Sequence, residues 1–133
     1  DGQLSDEQIK GQPYVFNSFQ KAAEQFIDGS ESEPMRVYIA PYVYWIDDPN
    51  DMEIKKGKNG REPFGMVVKC QNLHLIGLND NPRNVVLASW RGQTQGAIGN
   101  FTMFDFWGDG MVVKNLTMGN FCNVDLEYPL KKE

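Results

Sequence analysis

Between Asn100 and Phe121 the chain reads NFTMFDFWGDGMVVKNLTMGNF. Three short β-type runs, Phe101 to Phe106, Met111 to Val113 and Leu116 to Met118, are separated by Gly108-Asp109-Gly110 and by Lys114-Asn115. Strands this short, broken this often by Gly, Asp and Asn, do not make the arms of an ordinary hairpin. They suit a chain that turns a corner every few residues and lays each coil on the one before.

An earlier stretch points the same way. Gly65-Met66-Val67-Val68-Lys69 recurs letter for letter at Gly110-Met111-Val112-Val113-Lys114, and Asn72-Leu73-His74-Leu75 is echoed by Asn115-Leu116-Thr117-Met118. Two coils of about 20 to 25 residues each account for the offset, within the range of solenoid repeats. The alternative is two unrelated edge strands of similar composition.

These residues carry a resemblance. The run from Phe106 to Asn120 resembles the "GDGF, short strand, N-[LI]-T-[FM]-x-N" segment of pectin methylesterases and their relatives in the pectin-lyase-like right-handed parallel β-helix superfamily. Asn72 to Gly77 is similar to their "N-[IL]-x-L-x-G" coil. Tyr14 to Ala23 is similar to their opening "F-x-[TS]-[IF]-Q-x-A" helix, and Val37 to Tyr44 stands where they carry "I-x-[IV]-x-x-G-x-Y". Together these segments span about Tyr14 to Phe121 in the family's order. The family's "G-x-Y-x-E" is broken, with Tyr42 at the Gly position and Ile46 at the Glu position.

At 133 residues the chain is one domain, long enough to bury about two-thirds of its unfolded surface. A net charge of −5 leaves no basic stripe to replace phosphate counterions, which argues against nucleic acid. No apolar run approaches the roughly 20 residues of a membrane span. No signal peptide is visible at Asp1-Gly2-Gln3, so one is expected to have been removed upstream if the chain is exported. Cys70 and Cys122 read as buried thiols acting as small hydrophobes, a single bridge between them being the alternative.

In chain order, residues 1–13 form a polar, extended N-terminal extension. Residues 14–126 form a partial β-helix. Its first element is a capping helix over about 16–28, because Phe16, Phe19, Ala22, Ala23 and Phe26 recur at helical spacing, with Asn17 or Ser18 as N-cap and Gly29 as stop. Such a Phe stripe suits the open end of a first coil, whose lining would otherwise face water. Residues 47–62 form a long solvated loop, and residues 127–133 a tail. Nothing after Phe121 reads as a second cover. The chain is therefore expected to be the first part of a longer protein, with end-to-end packing of the open last coil on another copy as the alternative.

No residue reads as catalytic. The resemblance implies two Asp carboxylates on coils beyond the matching segment, one attacking the ester carbonyl and one moving the proton. No QAVAL-type or D-R-type motif follows Asn120. Asp109 belongs to a Gly-Asp-Gly turn, where it caps backbone N–H groups, and Asp105 points outward from mid-strand. His74 alternates with Leu73 and Leu75 and faces away from them, with no Ser or Cys partner at a recognisable turn. The Asp47 to Glu53 run lacks the spacing of a calcium loop, so neither metal nor cofactor is implied. Tyr38, Tyr42, Tyr44, Trp45 and Trp90 read either as stacking between coils or as a sugar platform. For the platform Trp90, Arg91 and Tyr44 are the candidate residues, with Arg91 clamping a uronate carboxylate.

The expectation is thus a mainly β chain, the N-terminal coils of a right-handed parallel β-helix with one capping helix. The resemblance implies an extracytoplasmic, pectin-esterase-like protein whose partner is an acidic polysaccharide such as pectin and whose catalytic coils lie outside this chain. The alternatives are a non-catalytic carbohydrate-binding or cell-surface β-helix and a pectate-lyase-like enzyme.

Overall fold

Among the described residues eight short strands pair in parallel, each with a strand three elements away. The computed structural model describes residues 1–46, 66–90, 103–121 and 126–129. Its strands are β1 (Met35–Ile39), β2 (Tyr42–Trp45), β3 (Met66–Lys69), β4 (Leu73–Gly77), β5 (Val85–Ser89), β6 (Phe104–Trp107), β7 (Val112–Lys114) and β8 (Thr117–Asn120). They form three parallel sheets, ordered β1-β4-β7, β2-β5-β8 and β3-β6. The described residues are mainly β, with two short α-helices, α1 (Asp6–Ile9) and α2 (Phe19–Ala23), and a 3-10 turn at Pro82–Asn84.

The register corrects the repeat length expected from sequence. Met35 pairs with Leu73, Met66 with Phe104 and His74 with Val112, each 38 residues apart. Tyr42, in contrast, pairs with Val85 at 43 residues and Val86 with Thr117 at 31, so the spacing is longer than expected and not uniform. The identical Met-Val-Val-Lys runs fall on β3 and β7, which belong to different sheets. They do not occupy equivalent positions. What they share is local: each is a short strand followed by an Asn in left-handed backbone, Asn72 at φ 51° and Asn115 at φ 54°, which turns the chain into the next strand. The two stretches share this left-handed Asn corner, not a place in the same sheet.

One core lies between the three sheets. Ile39, Tyr44, Val68, Leu73, Leu75, Val85 and Leu87 are buried together, with Phe104, Phe106 and Met118 packed against them. Burial is deepest in the middle strands, since β4 and β5 have a paired neighbour on both sides. Val85 to Ser89 is buried on both faces, the reading of a covered parallel strand. Its outer residues Val86 and Ala88 are roofed by Phe121, Leu126 and Tyr128.

The turns between sheets stack as well. Gly29 N–H donates to Gln71 O at 2.8 Å, and Asn72 N–H donates to Asp109 O at 2.8 Å. Side chains reinforce this column: Gln71 N–H donates to Asp28 Oδ1 at 2.8 Å, and Asp109 N–H donates to Gln71 Oε1 at 2.9 Å. At Gly108, φ is +152° and a Cβ would collide with the Cys70 carbonyl, so glycine is required there.

The helix expected over 16–28 is only Phe19–Ala23, capped by the Ser18 hydroxyl accepting from Lys21 N–H. Its expected last turn is spent on tertiary contacts. Phe26 folds back edge-on to Phe19 with ring centroids 6.0 Å apart, and Ile27 O accepts from Cys70 Sγ at 3.3 Å. Phe19 does enter the core as expected, edge-on to Phe104 at 5.7 Å. Within residues 1–13, expected as extended, α1 forms a short helix. Ser5 and Gln8 close a capping box on α1, a pattern present in the sequence as Ser-x-x-Gln. The loop expected over 47–62, Arg91 and Cys122 lie outside the described residues.

Candidate functional site

Alternation along β2 decides which aromatic side chains share a surface. Tyr42 and Tyr44 point to the core, while Val43 and Trp45 point outward. The Tyr44 hydroxyl donates to Ala40 O at 2.8 Å and accepts from Gly2 N–H at 3.0 Å. Burial raises its pKa, the Gly2 amide lowers it in part, and neighbouring Tyr42 raises it further. Trp90, half-buried, packs on Trp45 with centroids 5.7 Å apart and planes at 57°. Its indole Nε1–H is buried and has no hydrogen-bond partner among the described residues. The structure therefore joins Trp90 to Trp45 and sets Tyr44 on the opposite face of the strand.

All four residues of β2 nevertheless line one groove of about 460 Å³. A cavity that touches consecutive residues of a strand, inward and outward alike, runs along the strand's edge. The β2 edge is unpaired among the described residues. The groove is also lined by Asn17, Ser18, Phe19 and Gln20 and by Leu126 to Tyr128. Gln20 Nε2 donates to Trp45 O at 2.8 Å, satisfying an edge carbonyl. The groove thus combines an indole, phenol rings and amide or hydroxyl groups, with one carboxylate, Glu127, and no cation among its lining residues. That mix gives apolar faces for stacking and donors and acceptors for hydroxyl groups, without the charge to hold an anion. The sequence named Trp45 in its aromatic set; the contributions of Gln20 and Glu127 depend on folding and left no motif.

The other candidates are dispersed. His74 lies on the outer face of β4, between Arg36 and Val112 in the register. Asp105 faces outward beside Val67, and Asp109 is held in the turn column. Among the described residues no group of three or more His, Cys, Asp or Glu side chains is placed to hold a metal ion. No helix among the described residues is long and apolar enough to cross a membrane.

Cys70 is a buried free thiol. Burial raises its pKa and the Asp28 carboxylate raises it further, with partial relief from the Gly29 amide. The thiolate is the reactive form, so Cys70 stays protonated and slow. Iodoacetamide at neutral pH is expected to label the Cys70 peptide at least about tenfold more slowly in native protein than in urea, followed by mass spectrometry.

No family model, curated protein or solved structure matches the chain.

Proposed function

We propose that this chain is a polysaccharide-holding parallel β-helix of the pectin-esterase-like kind, working outside the cytoplasm, and that the β2 groove is where a sugar chain lies. The parallel pairing of each strand with the one three elements further on supports the β-helix reading, because stacked coils would pair in this way. The binding reading rests on one observation: Trp45, in ring contact with Trp90, lines a groove together with Asn17, Ser18, Gln20 and Glu127 as well as Phe19, Leu126 and Tyr128. Sugar C–H faces stack on such a ring while their hydroxyl groups meet the polar lining residues. With Glu127 the only charged lining residue, a neutral, methyl-esterified stretch of pectin suits the groove better than free uronate.

Calorimetric titration with esterified oligogalacturonide tests this. Trp45→Ala is expected to weaken binding by about tenfold, and Trp90→Ala by less, since it removes only the ring contact. De-esterified oligomers should bind more weakly than esterified ones. Failure of the wild-type protein to bind, or affinity unchanged in Trp45→Ala, overturns the assignment. Methanol release would move the reading from binding to hydrolysis.

A further inference from the structure

A second and larger cavity, of about 810 Å³, runs along β1. Every residue from Met35 to Ala40 lines it, inward and outward members alike, so it lies against the strand's edge. That edge is unpaired among the described residues, because β1 ends its sheet. Met35 N–H donates to Asn72 O, and Ile39 O accepts from Leu78 N–H, which fixes the odd members as those facing β4. By the two-residue period, the main-chain groups of Arg36 and Tyr38 face the cavity.

The two edges of the first strands are treated differently. On β2 and at its approach, the carbonyls of Trp45 and Pro41 are taken by the side chains of Gln20 and Gln3. No described side chain does this for Arg36 or Tyr38. Exposed apolar surface also gathers here. Tyr14, Ile27, Tyr38 and Leu78, four of the seven large hydrophobic side chains exposed among the described residues, rim this cavity. Arg36 projects at the rim and makes no ion pair or side-chain hydrogen bond among the described residues.

We propose that β1 accepts one added parallel or antiparallel strand from a partner polypeptide. The segment would be extended, with apolar side chains on one face and an acidic residue opposite Arg36. Main-chain bonds to Arg36 and Tyr38 supply affinity, the cavity between β1 and the Phe16, Phe19 and Phe26 side chains takes the apolar face, and charge complementarity to Arg36 sets the register. A whole set of strands from a second copy does not suit this end, since the Trp45 carbonyl on the β2 edge and the Pro41 carbonyl at its approach are already taken by Gln20 and Gln3. A single strand does. The volume lies within the range of about 300–1,000 Å³ usual for a ligand site. This inference is independent of the sugar groove, which lies along the neighbouring strand.

The test uses a fluorescein-labelled, capped peptide, Ser-Val-Glu-Val-Thr-Val-Ser, titrated with the full chain and followed by anisotropy. Saturable one-to-one binding is expected. Methylating alternate peptide nitrogens should weaken it by about tenfold or more, the effect of losing two main-chain hydrogen bonds. Arg36→Glu, an exposed change whose fold is checked by circular dichroism, should weaken this peptide and strengthen the version with Lys for Glu. Absence of saturable binding, or equal binding by the methylated peptide, overturns the proposal. So does self-association in sedimentation that Arg36→Glu dissolves, which would make a second copy the occupant.

Discussion

Leu87→Ala is expected to lower the free energy of unfolding by about 2–5 kcal/mol, towards the upper end of that range. Leu87 has no exposed surface and sits mid-strand in β5, paired with Tyr44 on one side and Met118 on the other. Hydrogen-bonded neighbours on both sides prevent the backbone from closing on the space left behind, so the cavity term adds to the lost transfer energy. A single domain of ordinary stability has about 5–15 kcal/mol in hand, so this one change removes a large share of it. Val113→Ala provides the contrast. Val113 pairs with the buried Leu75, yet it is 43% exposed because β7 ends its sheet. It should cost no more than about 1 kcal/mol. Urea midpoints of the two variants measure the difference. Equal losses would mean that β7 is covered in solution and that the core extends past it.

Much of this architecture was legible in the sequence, and the parts that were not fail for physical reasons. Short apolar runs cut by Gly, Asp and Asn identified a mainly β chain, and the alternation Leu73-His74-Leu75 placed His74 outside and the leucines inside, as β4 shows. The period was misjudged because the two Met-Val-Val-Lys runs lie in different sheets and share only a nearby left-handed Asn. Sequence identity reports local chemistry, whereas the pairing joins residues with little in common, such as Met35 and Leu73 or His74 and Val112. Its spacing also differs between sheets, with Tyr42 on Val85 and Val86 on Thr117 in the second. The helix was overestimated because its Phe stripe is satisfied without helical geometry: Phe26 meets Phe19 through a bend. Ser5 to Gln8 carried a readable capping box that a polar composition masked. For the site, the sequence reading grouped Tyr44 with Trp90 and Arg91, although alternation on Tyr42 to Trp45 puts Tyr44 on the face opposite Trp45, the ring that meets Trp90. Which of the two faces was covered depended on the returning segment at Phe121 and Leu126 to Tyr128.

Gly77→Ala should be nearly as damaging, at about 3 kcal/mol, although the added group is one methyl. Gly77 closes β4, paired with Ile39, and a Cβ there would run into the main-chain carbonyl of Asn115 at the β7–β8 corner. A side chain could swing away from the intrusion; a carbonyl cannot without moving its peptide. Asn115 is already in left-handed backbone, and the preceding Lys114 is fixed by its pairing with Ile76, so any shift is passed to both strands that leave the corner. Gly11→Ala separates this collision from simple backbone strain. Gly11 has φ +80° but nothing within 4 Å of a Cβ, so alanine there should cost only about 1 kcal/mol. Chemical denaturation of the pair reads the difference directly. A Gly77→Ala variant no less stable than Gly11→Ala would mean that successive strands approach less closely at this corner. The close stacking of the third set of strands on the second would then need another basis.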